Sequence, residues 1–293
     1  MKITLSWIRE YVDAPADAEA LSKHLIQVGF DVEEIAPAGD DVMLAVDVPS
    51  NRPDALGVIG LAREMAARLG KPMRLPDAAP AETGEPVERG FRGAVEGASD
   101  CTRYTARLLR GVRVGPSPDW LAARLAAVGV TPVNNVVDVT NYVLYECGQP
   151  LHAFDAGRLR GGVITVRRGK AGEKLEAING KSCPAGPDIL VIADASGPVA
   201  FAGVMGGKPT EIAASTRDVL LESAQFDPVV IRRGARTLGL ESDSSYRFER
   251  GVSFDGVAWA SRRAAALIVQ VAGGAAAPGM IDAAPAGRPK ARV

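Results

Sequence analysis

Two ionisable side chains, His152 and Glu222, stand in positions from which each could take part in chemistry. His152 is one of two histidines in the chain and follows Gly148 and Pro150, a pair that predicts the end of a helix. An imidazole held on a short stiff loop can orient a substrate or a water near neutral pH. The alternative is a loop histidine bonded to the backbone.

Glu222 follows the apolar run 219–221 on a predicted buried strand. A buried carboxylate is costly unless it is paired or solvated. Glu222 is therefore either an acceptor for a ligand or a strand-edge side chain that faces water or pairs with an arginine. The other histidine, His24, shares a helical stripe with Leu21 and Leu25 and is interpreted as structural.

Small residues near these two sites could complete a pocket. Gly206 and Gly207 follow an apolar strand, and their bare amides could approach a ligand, although a simple tight turn explains them equally well. Ser242 and Ser244 follow a helix stop, where their hydroxyls could bind a ligand or cap the next helix.

A group of arginines surrounds the serines and could hold phosphates, or could pair internally with Asp243 or Glu249. The members of this group are Arg232, Arg233, Arg236, Arg247 and Arg250.

The elements that must position these residues predict an α+β fold. The first part, residues 1–75, reads as a small mixed domain with helices near residues 18–28 and 58–69 and a strand near 43–48. Residues 76–90 read as an extended linker or, equally, as an ordered loop on the next domain.

The larger domain, residues 91–293, is predicted as helices, then strands, then helices, which indicates an α+β arrangement rather than a doubly wound sheet. One helix is expected to start at Ser117. Three further helices are expected to cover about 135–146, 228–239 and 257–272. Strands are expected near 103–109, 163–167, 175–178, 189–193, 198–204 and 219–223, with a hairpin turn at Asn179-Gly180. The tail, residues 286–293, reads as the start of a truncated following segment.

Composition excludes several classes of protein. A formal charge of −1 argues against a broadly basic nucleic-acid-coating surface, and 47% hydrophobic residues suffice for buried cores. Three scattered cysteines without a Cys/His cluster predict no metal site and a reduced, cytoplasmic setting. No apolar run is long enough to predict a membrane span.

Four stretches together resemble the β subunit of bacterial phenylalanyl-tRNA synthetases, and in order and number they cover nearly the whole chain. They are VPSNRPDALGVIGLARE (48–64), NNVVDVTNYVLYECGQPLHAFD (134–155), FAGVMGGKPTEI (201–212) and VLLESAQFDPVVIRRGARTLGLESDSSYRFERGV (219–252). The resemblance implies an N-terminal domain followed by a mixed α/β (B3/B4-like) editing domain.

The resemblance also implies roles for residues. Glu222 of the Leu-Leu-Glu motif would hold the hydroxyl of a misplaced tyrosine, His152 of the His-Ala-Phe-Asp motif would orient water or ester, and Gly206 would line the pocket. Ser242 would supply a hydrogen bond, whereas Ser244 stands where the family commonly has alanine. Thr131 stands where the family often has an arginine, so one cationic contact to the tRNA end is lost.

Two parts of the family's usual chain have no counterpart here. An oligonucleotide-binding-type domain is replaced by residues 37–41, and the parts that dock the synthetase α subunit are missing. ATP and magnesium are expected only for the complete two-subunit enzyme, so the chain itself needs no cofactor and should not activate phenylalanine.

The resulting hypothesis is hydrolytic editing of tyrosine attached to the tRNA for phenylalanine. Because no serine or cysteine has a paired base in triad order, water is the expected nucleophile, helped by the protein or by a ribose hydroxyl of the tRNA. One alternative is an editing-inactive scaffold that positions tRNA or supports assembly. Another is a relative of the fold reused for a different RNA or protein contact.

Overall fold

The first part of the chain builds a three-stranded antiparallel sheet covered by helices. The computed structural model describes residues 1–288, so the last five residues of the predicted tail lie outside the described part. The elements of this first part are β1 (Lys2–Thr4), α1 (Leu5–Tyr11), α2 (Ala18–Gln27), β2 (Asp31–Ala38), β3 (Asp41–Asp47) and α3 (Val58–Leu69). The strand order is β1-β3-β2.

The rest of the described chain is a mixed α and β region, and the α+β fold class is confirmed. Its first elements are β4 (Arg92–Val95), β5 (Cys101–Arg110), α4 (Asp119–Ala127), α5 (Asn135–Cys147), β6 (Leu151–Asp155), β7 (Val163–Arg168), β8 (Lys174–Glu176) and β9 (Ser182–Pro184). Its remaining elements are β10 (Leu190–Asp194), β11 (Gly197–Phe201), β12 (Met205–Gly206), β13 (Val219–Phe226), α6 (Pro228–Leu238), α7 (Asp243–Phe248), α8 (Gly256–Ala272), β14 (Ala275–Ala276) and β15 (Ile281–Ala283).

Two five-stranded sheets form this region. One has the order β12-β11-β10-β7-β4 and is antiparallel except between β4 and β7. The other has the order β14-β5-β13-β6, is antiparallel, and has β15 paired beside β5. The long central strand β13 thereby places β5 on one side and β6 on the other.

Alternation along β13 separates two hydrophobic cores. Val219 and Leu221 belong to a core that they share with α5, α8 and the first part of the chain. Leu220, Ala224 and Phe226 belong to a second core with β5 and the other large sheet. Because side chains on a strand alternate between faces, Glu222 lies on the side of the second core.

Residues 76–90 contact the larger region along their length. The Thr83 amide donates to the Ala276 carbonyl at 2.9 Å, Glu82 pairs with Arg107 at 2.7 Å, and Val87 is fully buried. These are contacts that an ordered loop makes. The domain boundaries themselves remain predictions, since residues from the first part and from α5 and α8 share one core.

Local signals near the site produce the expected elements. Helix α5 begins where the Asn134 side chain accepts from the amides of Val136 and Val137, and ends at Gly148 with φ +78°. Strands β8 and β9 pair across the predicted Asn179-Gly180 turn. The Ser117 cap is wrong, because Pro118 holds that position and the Ser117 hydroxyl donates to Asp138 instead.

Candidate functional site

A cavity of about 490 Å³ opens where β6, β12 and β13 meet the first half of α5. Five predicted site residues line it: His152, Gly206, Glu222, Ser242 and Ser244. Its walls are otherwise largely apolar, with Val133 and Val137 from the α5 side and Phe201 and Phe248 from the opposite side. Residues as far apart in sequence as Val133 and Phe248 are thus brought around one space.

Glu222 is a buried carboxyl that has no cationic partner among residues 1–288. Its side chain is 6% exposed, and the Tyr104 hydroxyl donates to Oε2 at 3.1 Å. Oε1 makes no hydrogen bond to the described residues. Burial raises the pKa of Glu222 to about 8, against the smaller lowering effect of Tyr104. The carboxyl is therefore mostly protonated at pH 7, with one oxygen left for a ligand.

His152 lies directly opposite Glu222, because β6 and β13 pair in that register. The predicted loop position is wrong, since His152 belongs to β6. Its Nε2 is buried and has no hydrogen-bond partner in the described part of the chain, and its ring lies edge-on to Phe154 at 4.4 Å between centroids. Burial lowers the pKa of His152 to about 4, so the imidazole is neutral at pH 7.

Gly206 leaves room for the histidine ring. A Cβ at this position would lie 2.2 Å from His152 Cε1, closer than atoms can approach. The glycine therefore sets the position of the imidazole, which in turn shapes the cavity wall.

Gly207 takes no part in the cavity. Its amide donates to the Val199 carbonyl at 2.9 Å, and a Cβ there would meet that same carbonyl oxygen at 2.4 Å. The prediction that its amide faces a ligand is wrong, because the neighbouring strand already occupies it.

The two serines differ in how much of their hydrogen-bonding capacity is already used. Ser242 caps α7 by accepting from the Ser245 amide, and its hydroxyl donates to the Val204 carbonyl at 2.7 Å. The capping alternative is therefore observed for Ser242. Ser244 lines the cavity and makes no side-chain hydrogen bond within residues 1–288. It is the freer of the two hydroxyls.

Thr131 lies at the surface and is not among the cavity-lining residues. The structure thus gives it no contact with the pocket that holds Glu222 and His152.

The predicted phosphate-binding arginines fall into two groups. Arg232, Arg233 and Arg236 are exposed on α6. Arg247 is only 3% exposed and donates to the Leu56 carbonyl at 3.1 Å and to Asp243 at 2.9 Å. The internal-pairing alternative thus describes Arg247, which is too buried to reach a phosphate. Arg250 likewise pairs with Glu249 at 2.6 Å.

Sequence reasoning missed Tyr104, the one protein group that donates to the Glu222 carboxyl within the described chain. The two residues are not directly opposite each other, since Tyr104 faces Ala224 in the β5–β13 register. Only that long-range register places its hydroxyl at the carboxyl. Asn179 was noted only as a turn residue, yet it lines the cavity together with Ile178.

Within residues 1–288, no group of three or more His, Cys, Asp or Glu side chains is arranged to hold a metal ion. No described helix has the length and apolar character needed to cross a bilayer.

Comparison with known proteins gives concordant results. A family model described as the B3/4 domain matches residues 100–273, which contain every residue of the cavity discussed above. The phenylalanine–tRNA ligase beta subunit of Rhodopirellula baltica is 47% identical over 97% of this chain and 42% of its own length. The corresponding subunit of Moorella thermoacetica is 50% identical over 83% of this chain and 30% of its own length.

The chain therefore spans less than half the length of these two relatives. An N-terminal fragment of the phenylalanyl-tRNA synthetase beta subunit from Pyrococcus horikoshii covers 82% of this chain and 74% of that one, with 12% identity and a TM-score of 0.45. That likeness is too low to add to the argument. On the strength of the family match and these relatives, the chain belongs to the B3/4 domain family and matches part of the phenylalanine–tRNA ligase beta subunit.

Proposed function

We propose that this chain edits aminoacyl-tRNA by hydrolysing tyrosine from the tRNA for phenylalanine. The observation that carries the proposal is the buried Glu222 carboxyl, which faces an apolar cavity with one oxygen unused. Tyrosine differs from phenylalanine by one hydroxyl, and an apolar pocket alone rejects an added hydroxyl only about a hundredfold. A second site that binds this hydroxyl removes the error.

Selection in this site depends on the hydrogen bond to Glu222. A tyrosine phenol bonds to the free oxygen, whereas phenylalanine leaves that buried oxygen unpaired. An unpaired buried polar group costs roughly 1–3 kcal/mol, which corresponds to about 5- to 150-fold discrimination. A protonated carboxyl serves this purpose because it keeps one acceptor oxygen and adds an O–H donor.

The hydrolytic step uses water. Water attacks the ester carbonyl carbon, the bond to the ribose oxygen breaks, and free tyrosine and the ribose hydroxyl result. His152 is neutral at pH 7 and lies one strand away from Glu222, so it serves to orient water or ester rather than to carry charge. The free hydroxyl of Ser244 is a further hydrogen-bonding group on the cavity wall. The chain itself uses no cofactor in this scheme.

The acceptor end of the tRNA is held by Arg232, Arg233 and Arg236, which are exposed on one helix. Three contacts on a chain of charge −1 give weak, salt-sensitive binding. Replacing all three by glutamine should reduce the slope of log affinity against log salt by roughly two units. Arg89→Gln, an exposed arginine outside the group, is the control and should leave the slope unchanged.

The proposal places the chain in the cytoplasm as part of a ligase with a synthetase α subunit. That partner, with ATP and magnesium, would activate phenylalanine. The relatives named above are beta subunits of phenylalanine–tRNA ligases, which supports this assignment.

The test is hydrolysis of tyrosyl-tRNA made from the tRNA for phenylalanine, measured for the 293-residue chain and, separately, for the complete two-subunit enzyme. Glu222→Ala and His152→Ala should each lose at least about tenfold in rate, because each removes a polar group from the cavity. Glu176→Ala, an exposed glutamate on β8, is the matched control and should retain the full rate.

Retention of the full rate in Glu222→Ala would contradict the proposed role of the carboxyl. A covalent acyl intermediate on any residue of the chain would contradict water as the nucleophile. Absence of hydrolysis both in the chain and in the two-subunit enzyme would favour the scaffold alternative.

A further inference from the structure

A second cavity, of about 600 Å³, lies away from the Glu222 site and shares no lining residue with it. It is enclosed by the end of α5, the outer face of α3 and the start of α8. Its size is that of a small-molecule site. The residues that give it chemical character are Arg63, Leu75, Gln149, Gly256 and Trp259.

Gln149 supplies a hydrogen-bond acceptor that nothing in residues 1–288 satisfies. Its side chain is 3% exposed, and its amide nitrogen donates to the carbonyls of Pro150 at 3.0 Å and Ala224 at 2.8 Å. These two acceptors fix the orientation of the amide, so Oε1 is the atom left over. Oε1 is fully buried without a donor. A ligand with an N–H group would complete it.

The cavity also has an aromatic and apolar wall. Trp259 is half-buried there, beside the buried Ile59 and the 61% exposed Leu75. Indole is a good surface for stacking a flat heterocycle, and such stacking tolerates different ring systems.

Positive charge lies at the edge of the cavity. Arg63 is exposed and forms no salt bridge within residues 1–288, although its charge adds to that of Arg52 in lowering the pKa of Asp54. Asp54 itself is held by Arg52 through two contacts of 2.8 and 2.9 Å. Arg63 therefore keeps its hydrogen-bond donors for a ligand.

The N-terminus of α8 adds to this charge. The helix is 17 residues long, and its first residue, Gly256, lines the cavity. The Gly256 amide is already bonded to the Ser253 hydroxyl, so the contribution is the partial positive charge of the helix end. Arg63 and this helix end both line the cavity, so each favours an anionic group bound there.

From these features we propose that the second cavity binds a nucleotide whose base carries an exocyclic amine. The amine donates to Gln149 Oε1, the base stacks on Trp259, and the phosphate contacts Arg63. The same chemistry is offered by a free mononucleotide and by one nucleotide of an RNA strand. The site is independent of the Glu222 cavity, and its occupancy does not depend on hydrolysis there.

The experiment is calorimetric titration of the 293-residue chain with AMP, with ribose 5-phosphate and with a short oligoadenylate. AMP should bind with a Kd between about 10 μM and 1 mM, and ribose 5-phosphate should bind at least about tenfold more weakly because it lacks the base. Oligoadenylate binding more than about tenfold tighter than AMP would assign the site to an RNA strand, and equal or weaker binding would assign it to a free nucleotide.

Two variants identify the site. Arg63→Gln changes an exposed residue and should weaken AMP binding about tenfold, and Trp259→Leu should weaken it by a similar factor. Arg262→Gln is the matched control, because Arg262 is also an exposed arginine but lies on α8 and does not line the cavity. This variant should have no effect on AMP binding. Circular dichroism checks that each variant is folded. No saturable binding of AMP or the oligonucleotide up to about 10 mM, or equal binding in Arg63→Gln and wild type, would overturn the proposal.

Discussion

Two buried glutamates differ in how completely the protein satisfies them, and one of the two keeps an oxygen for the ligand that we propose. Glu146 on α5 is completely buried, and Arg263 binds both of its oxygens at 2.8 and 3.0 Å. Tyr11 adds a hydroxyl donor at 2.8 Å. Glu222 is almost as buried, but from the described residues it receives a single hydroxyl, that of Tyr104, and no cation.

The difference lies in what the protein leaves unsatisfied. Glu146 joins three distant segments, α1, α5 and α8, through a complete set of partners. Glu222 keeps a proton at neutral pH because burial raises its pKa to about 8. A carboxyl without a partner beside a cavity lowers stability at high pH and gains specificity for a ligand, whereas a fully paired carboxyl contributes to the architecture.

The largest effect on stability is expected from a substitution of Glu146. Glu146→Gln keeps the shape but leaves the guanidinium of Arg263, 15% exposed, without its anion. Removing one partner of a buried pair costs several kcal/mol, so we expect a loss of about 2–4 kcal/mol in the free energy of unfolding. Urea denaturation at pH 7 measures it.

Glu222→Gln is the matched control for this loss. At pH 7 the unfolded wild type has released a proton that folded Glu222 keeps, so a neutral amide should cause no loss and should raise the free energy of unfolding by roughly 2–3 kcal/mol. Equal losses in the two variants would show that the two glutamates are not different in kind.

A smaller effect should appear in the pH dependence of stability. Folding raises the pKa of Glu222 from 4.5 to about 8, so between these values the folded state holds a proton that the unfolded state has released. The contribution of Glu222 is therefore present below about pH 4.5 and is lost as pH rises through about 8. The difference in the free energy of unfolding between Glu222→Gln and wild type should therefore grow by about 1–2 kcal/mol, in favour of the variant, as pH rises from 6.5 to 8.5.

His152 acts in the opposite direction and at lower pH. Its pKa falls from 6.5 to about 4 on folding, so its contribution is present above pH 6.5 and is lost as pH falls through about 4. His152 therefore contributes little to the pH dependence between pH 6.5 and 8.5, and the difference between wild type and Glu222→Gln over that range reports Glu222. Parallel stability curves for wild type and Glu222→Gln across that range would contradict the raised pKa.

The contrast between the glutamates also explains which parts of the site were predictable from sequence. The helix at 135–146 could be predicted because Asn134 caps its start and Gly148 ends it, and both are local signals. The strand 219–223 was readable from its apolar run. These local patterns placed Glu222 on a buried strand but could not show which partner it has.

The rest depended on pairing across the chain. His152 was predicted on a loop because the signal that makes it a strand residue is its pairing with β13, 70 positions away. For Arg247 the sequence left phosphate binding and internal pairing open, since its charge gives no sign that the Leu56 carbonyl, 191 residues distant, accepts from it inside the protein. The Gly207 amide was predicted to be free for a ligand, because local sequence does not show that it donates to the Val199 carbonyl of the neighbouring strand.

The smallest effect is expected from a matched pair of tyrosines, each of which donates to one of the two glutamates. Tyr11→Phe removes one of several donors to Glu146 and should cost about 1 kcal/mol, with no effect on the titration of Glu222. Tyr104→Phe removes the one hydroxyl that lowers the pKa of Glu222, so that pKa should rise further above about 8. Carbon-13 NMR titration of the Glu222 carboxyl measures the shift in both variants. An unchanged or lower pKa in Tyr104→Phe would mean that the tyrosine does not hold the carboxyl, and Glu222 would then be positioned by burial alone.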